Sequence, residues 1–453
     1  MGIDGLKKVL GLSETTFIAI GMTIGGGIFV FTGIVLKIVG PALPIAYALA
    51  WIPILLSMFP LAMLAAAIPS TGGNYKYPSR MVSRGLAFTG VWVYALATFF
   101  GQIPLYGITC GRYVNAVFPS VPPLAFAAGL VTLLCLVNVL GVKLAAQFQG
   151  VMVIVLAGAI LYYGAQGPVH FDPSRFEGMW GASTGNLFLG TALLSFTYMG
   201  SNGIIELGGE IKEPGKVIPR AILITFPVVA VLYLLVAVTT VNAAPWRSTV
   251  LVEEPVISTA RASLGSAGFV FFMLGGAVLA LITTLNAIFI LGTKSLLVII
   301  DDGLLPRSLG AISRRFGTAH YLLLAVWLIS MLGIISGLSL ETFASYAALG
   351  SIIIFIPVLV AALVLPRRYP AEYAASSFKL TGFWLYFCPV VGIAIALFFC
   401  LVILADLASA WKIGVFLLFA LSGVVYYAFR SRFLARMGAG AASPGMAAEW
   451  TDQ

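Results

Sequence analysis

Long apolar runs alternate with short polar or turn-rich stretches from about residue 13 to residue 429. A helix rises 1.5 Å per residue, so about 20 apolar residues cross a hydrocarbon layer about 30 Å thick. Twelve runs fit, near 13–39, 42–67, 85–111, 123–141, 145–165, 186–210, 217–243, 267–300, 320–338, 341–365, 381–405 and 410–429. They predict an all-α integral membrane fold of about 12 transmembrane helices, here numbered as spans one to twelve. Residues 1–436 read as a single transmembrane domain with short connections, apart from two outside segments near 166–185 and 244–266. The stretch 437–453 is small and polar and reads as a disordered cytoplasmic tail.

Composition sharpens this. The chain is 60% hydrophobic and 9% charged, against about 45–50% and about 25% in soluble domains, which excludes a soluble enzyme. The net charge of +9 raises nucleic acid as a partner. With both termini cytoplasmic, however, eighteen basic residues fall inside and six outside, with Lys294 within a span. That bias sets membrane topology, so the nucleic-acid reading falls and the cytoplasmic membrane is the expected location. Four cysteines without a CxxC pair and two distant histidines indicate neither a disulfide framework nor a metal cofactor. The first apolar run is too long for a cleavable signal.

Two spans are interrupted. GMTIGGGIF places Gly21, Gly25, Gly26 and Gly27 mid-membrane in span one. Each glycine costs about 1 kcal/mol relative to alanine in a helix, and backbone groups freed in lipid need partners inside the protein. FTYMGSNGII places Gly200, Ser201, Asn202 and Gly203 in the middle of span six. Interrupted helices opening two sets of five spans point to an inverted repeat. Such repeats hold substrate at the midplane, with helix N-termini facing an anion and exposed carbonyls facing a cation. An amino acid satisfies both.

These motifs carry a family resemblance. IGGGIFVFTG resembles the first-helix motif of the amino acid, polyamine and organocation (APC) transporter superfamily; the run from Phe196 to Ile222 resembles its sixth helix and following loop, and IIDDGLLP the loop after its eighth. The resemblance implies a five-plus-five inverted repeat, with repeat one near 13–165, repeat two near 186–365 and two extra helices near 381–429, working by alternating access. It puts carboxylate-binding groups at Thr23, Gly26 and Gly27, and amine-binding carbonyls at Ile24, Phe196, Thr197 and Met199, with Gly200 at the break. Many relatives carry Ser or Thr where this chain has Gly26.

Coupling candidates follow. Glu206 lies deep in span six, where an acid costs about 2.5–3.5 kcal/mol to insert. It reads as a proton carrier, as a counter-charge for a basic substrate, or as a bundle residue bonded to Asn202. Ala280, Thr283 and Thr284 share a helix face in span eight and resemble a sodium site, which carbonyls of Gly21 and Ile24 would complete. Proton and sodium both stand as coupling ions. The lysine that some proton-coupled relatives carry in span five is absent near Leu156. Tyr94, Tyr106, Tyr198, Trp327 and Tyr346 are aromatic gate candidates, Tyr198 first among them. Gln102, Asn286 and Ser345 are further polar side chains at pocket depth.

The sequence thus reads as a permease or exchanger for a small or neutral amino acid. Its alternatives are a polyamine or cationic amino acid permease using Glu206, and an integral-membrane enzyme, for which one deep acid supplies no catalytic pair.

Overall fold

The computed structural model describes residues 10–70, 72–140, 143–252, 254–313, 318–407 and 409–436; among these, the side chains of 143–153, 206–210, 290, 291 and 294 are outside the description. The expectations for the tail and for the side chains of Glu206 and Lys294 therefore lie outside the described residues.

Among the described residues the fold is all-helical without strands; one parallel bridge joins Leu10 to Ile211. Among the described residues, eight stretches are long and apolar enough to cross a membrane by length and composition, and Ile154–Val169 and His320–Ile335 are shorter apolar helices. Helices dominate because the bilayer core offers the backbone no water, and a helix satisfies its polar groups internally. The protein is a multi-pass membrane protein.

The departures from regular helix matter most. Span one is two helices, Leu12–Thr23 and Gly27–Val39, with a step at residues 24–26. Span six is the helix Thr184–Tyr198 followed by 3₁₀ turns over Met199–Glu210. The sequence pattern predicts an interruption there; the chain tightens rather than opening fully. Glycine, serine and asparagine hold an α-helix poorly, and the 3₁₀ form rises faster per residue.

Span three runs Arg84–Leu96, widens into a π turn over Ala97–Gln102, and continues as Ile103–Val117. Pro104 lies just beyond the wide turn and has no N–H for the carbonyl one helical turn earlier, Phe100. A second π turn, Phe271–Val278, precedes the helix Leu279–Asp301 of span eight.

Small residues bring the helices together. A Cβ on Gly350 of span ten would stand 2.1 Å from the Cβ of Ala97, at the start of the span-three π turn. A short helix, Gly73–Met81, follows span two and packs against spans three and eight. Two of the ion pairs among the described residues join separate elements. Arg80 meets Asp302 at 2.7 Å just past span eight, and Arg112 meets Glu254 at 2.8 Å between span three and the start of the short helix Pro255–Ser263.

Candidate functional site

The step in span one is shaped by span eight. The Thr284 hydroxyl donates to the Ala280 carbonyl at 2.8 Å and accepts the Gly26 N–H at 2.9 Å. One side chain thus satisfies an amide that the broken helix leaves open. A Cβ on Gly25 would lie 2.4 Å from Thr284 Oγ1, and one on Gly26 would lie 2.4 Å from Leu281 Cδ2. The close approach of Thr284 and Leu281 leaves little room for a side chain at either position.

Span six meets the same step from the other side. A Cβ on Gly200 would stand 2.2 Å from the Met22 carbonyl oxygen and 2.6 Å from Thr23 Cα. The two interruptions therefore touch backbone to backbone. Behind them Tyr233 of span seven, fully buried, points its hydroxyl at the Thr23 carbonyl at 2.6 Å and the Thr197 carbonyl at 3.2 Å. A phenol has one proton, and the nearer carbonyl, in span one, takes most of it. The ring packs against Tyr198 and Tyr47 at centroid distances of 4.9 and 5.6 Å.

Tyr233→Phe keeps the ring and removes the link between the interruptions. The expected result is a rise of about 10-fold in the transport KM, from loss of a buried hydrogen bond of about 1–3 kcal/mol, with the protein still folded. Uptake kinetics on variant normalised for amount check this.

A cavity of about 150 Å³ opens where the interruptions meet. That is about the volume that takes a benzene-sized ligand. Of the residues singled out in the sequence, Gly21, Thr23, Gly25, Gly27, Gln102, Phe196, Thr197, Met199, Gly200, Asn202, Gly203, Thr283 and Thr284 line it, with Tyr94 and Tyr106. The lining continues past the interruptions to Asn74, Gly292 and Ser295, on the side expected to be cytoplasmic. No Lys, Arg, Asp or Glu is among the described lining residues.

Other candidates sit elsewhere. Gly26 and Ala280 are engaged with Thr284 behind the lining, and Ile24 is buried with its N–H on the Ile20 carbonyl. The hydroxyls of Thr283 and Thr284 both donate to the Ala280 carbonyl, at 2.9 and 2.8 Å. Tyr198 is buried behind the interruption, donating to the Tyr47 carbonyl at 3.3 Å. Asn286 accepts from Asn138 at 2.8 Å, Ser345 bonds back to Glu341, and Tyr346 reaches the Lys412 carbonyl at 2.8 Å. Trp327 donates to Thr132 at 3.0 Å. The side chains of Tyr198, Asn286, Ser345, Tyr346 and Trp327 are drawn to neighbours outside the cavity lining, which their depth along a span could not reveal, whereas Thr283 and Thr284 line it. Glu206 is placed within the 3₁₀ segment, with its side chain outside the description.

Sequence reasoning missed Tyr233, Asn74 and Thr98. Tyr233 looks like any aromatic residue in an apolar run, and Asn74 lies in a short helix taken for a loop. For Thr98 a signal existed in Pro104, which disturbs the helix one turn before it.

The comparisons with known proteins give the family. The Amino acid permease family matches residues 14–436. The chain is 26% identical to the Branched-chain amino acid permease BcaP of Bacillus subtilis, over 95% of this chain and 94% of that one. It is 27% identical to the Methylthioribose transporter of the same organism, over 94% of each. It is 26% identical to the Cationic amino acid transporter 3, mitochondrial, of Arabidopsis thaliana, over 68% of this chain and 54% of that one. With the match spanning both interrupted helices and the cavity between them, the chain belongs to the amino acid permease family of the APC superfamily.

Proposed function

We propose that this protein is a secondary active transporter that carries a small, neutral amino acid across the cytoplasmic membrane by alternating access. The observation that carries the reading is the cavity at two touching helix interruptions, with no charged side chain among its described lining residues. The N-terminus of the helix Gly27–Val39 offers partial positive charge to a carboxylate, and the carbonyls of Phe196, Thr197 and Met199 offer partial negative charge to an ammonium group. The Gly26 amide is engaged by Thr284, so Gly27 is the glycine left to face the carboxylate. In this reading the chain has twelve spans, the first ten forming the five-plus-five inverted repeat, and both termini are cytoplasmic.

The relatives' names span branched-chain and cationic amino acids and a sugar derivative, so they leave the substrate open. The cationic relatives favour a second reading, in which Glu206 is the counter-charge for a basic substrate. Purified protein in liposomes separates the two. The first reading expects saturable uptake of labelled neutral amino acids, accelerated by unlabelled substrate inside. Uptake restricted to lysine, arginine or polyamines and lost in Glu206→Gln would overturn it. Imposed sodium and proton gradients in the same vesicles identify the coupling ion.

A further inference from the structure

Threonines in these helices generally return their hydroxyl to the backbone one turn earlier, as Thr23 does to Ala19 at 2.7 Å and Thr89, in span three itself, to Gly85 at 2.9 Å. Thr98 does not. It sits inside the π turn Ala97–Gln102. Thr98 is 1% exposed, its hydroxyl oxygen has no hydrogen-bond partner, and the residue lines the central cavity.

Asn202, at the span-six interruption, has a complementary gap. Its amide nitrogen donates to Asn74 Oδ1 at 3.1 Å, while its own Oδ1 is buried without a partner, and it too lines the cavity. Thr16, Thr109, Thr191 and Thr225 also carry buried hydroxyls without a partner, but none of them lines the cavity. Among the described residues, Thr98 and Asn202 are the two that combine an unpartnered buried polar atom with a place in its wall.

An unsatisfied polar group in a dry site is costly, and a ligand that completes it is favoured. Thr98 offers a proton or a lone pair, and Asn202 Oδ1 offers only lone pairs. A hydroxyl or a primary amide carries both a donor for the Asn202 oxygen and an acceptor for the Thr98 proton. An alkyl group carries neither. We propose that Thr98 and Asn202 read the substrate's side chain, and that the transported substrate is a neutral amino acid bearing a side-chain hydroxyl or amide. This rests on the amino acid reading above and adds the selectivity within it. The backbone at the interruptions holds the part common to all amino acids, and Thr98 and Asn202 meet the part that differs.

The test is competition against uptake in liposomes by near-isosteric pairs: threonine against valine, serine against alanine, glutamine against methionine. A site built around a polar partner rejects the analogue that leaves it unpaired. The wild-type protein is expected to favour the polar member of each pair by about 10-fold or more. Thr98→Val, which keeps the shape, is expected to remove most of that preference by weakening the polar members while sparing the apolar ones; Thr98→Ser retains it. Thr98→Val also removes a buried unpartnered hydroxyl, so substrate-free protein should melt no lower than wild type, which separates selectivity from misfolding. Equal competition within the pairs by wild type, a preference for the alkyl members, or a uniform loss across both members in Thr98→Val overturns the proposal and leaves amino acid transport standing. If no amino acid competes, the underlying reading falls and this one with it.

Discussion

Gly200→Ala is expected to abolish transport. The added Cβ would lie 2.2 Å from the Met22 carbonyl oxygen and 2.6 Å from Thr23 Cα. Those are backbone atoms of the other interrupted helix, so no rotamer change can relieve the clash. Spans one and six must move apart at the point where both form the cavity wall. Overpacking a rigid site typically costs about 1–3 kcal/mol and more where backbone must shift. Displacing binding groups by about 1 Å is worth about 100-fold in rate in well-aligned sites. Uptake should therefore fall by about 100-fold or more, even if some protein still folds. Gly129→Ala, with nothing within 4 Å of the added carbon, is the control that should transport normally. Normal uptake by Gly200→Ala would mean that the two interruptions do not touch.

Asp302→Asn is expected to be the most destabilising change outside the cavity. Arg80 grips Asp302 through two hydrogen bonds, at 2.7 and 2.8 Å, and Tyr75 donates a third at 2.7 Å. The two charged side chains are only 7% and 11% exposed. Removing the carboxylate takes two charge-assisted hydrogen bonds from a buried guanidinium, and breaking such a buried pair costs about 3–5 kcal/mol. Arg80→Met combined with Asp302→Leu should recover most of that loss, because it removes both charges together. The pair also sets an acid limit. Burial works to raise the Asp302 carboxyl, but the Arg80 hydrogen bonds and charge, with the Tyr75 hydroxyl, outweigh it and hold the group below the usual carboxylate range. A carboxyl lowered on folding adds stability above its unfolded value of about 4, and that stability is lost as pH falls through the folded value. The thermal stability of the wild type in detergent should thus fall as pH drops below that range. Asp302→Asn should start lower and lose this part of the dependence.

The two interruptions were legible because their chemistry is local. Three consecutive glycines, or Gly-Ser-Asn-Gly, conflict with a membrane helix whatever surrounds them. What holds the interruptions together was not legible. Tyr233 reaches Thr23 across 210 positions of sequence and Thr284 reaches Gly26 across 258. Neither residue type is unusual where it stands. Thr283 and Thr284 show the limit of spacing arguments. Their shared face was readable from the i, i+3, i+4 pattern, but not that both hydroxyls would turn to the Ala280 carbonyl or that Thr284 would take up the Gly26 amide. The pairing of Arg80 with Asp302 was hidden because each residue alone reads as a charge at the membrane surface. Ser345, Tyr346 and Asn286 were placed by depth along a span, which says nothing about the side of the helix that bears them.

The central claim is that the backbone at the two interruptions holds both charged ends of an amino acid, leaving the side chain to grade affinity. Competition by end-modified substrates against uptake in liposomes tests it most directly. With the best-transported amino acid as parent, its N-acetyl derivative and its carboxamide should each compete about 100-fold more weakly or worse, since each loses a charge-assisted contact worth about 1.5–3 kcal/mol or more, whereas changes of side chain should give graded effects. Competition by either derivative as strong as that of the parent would contradict the account.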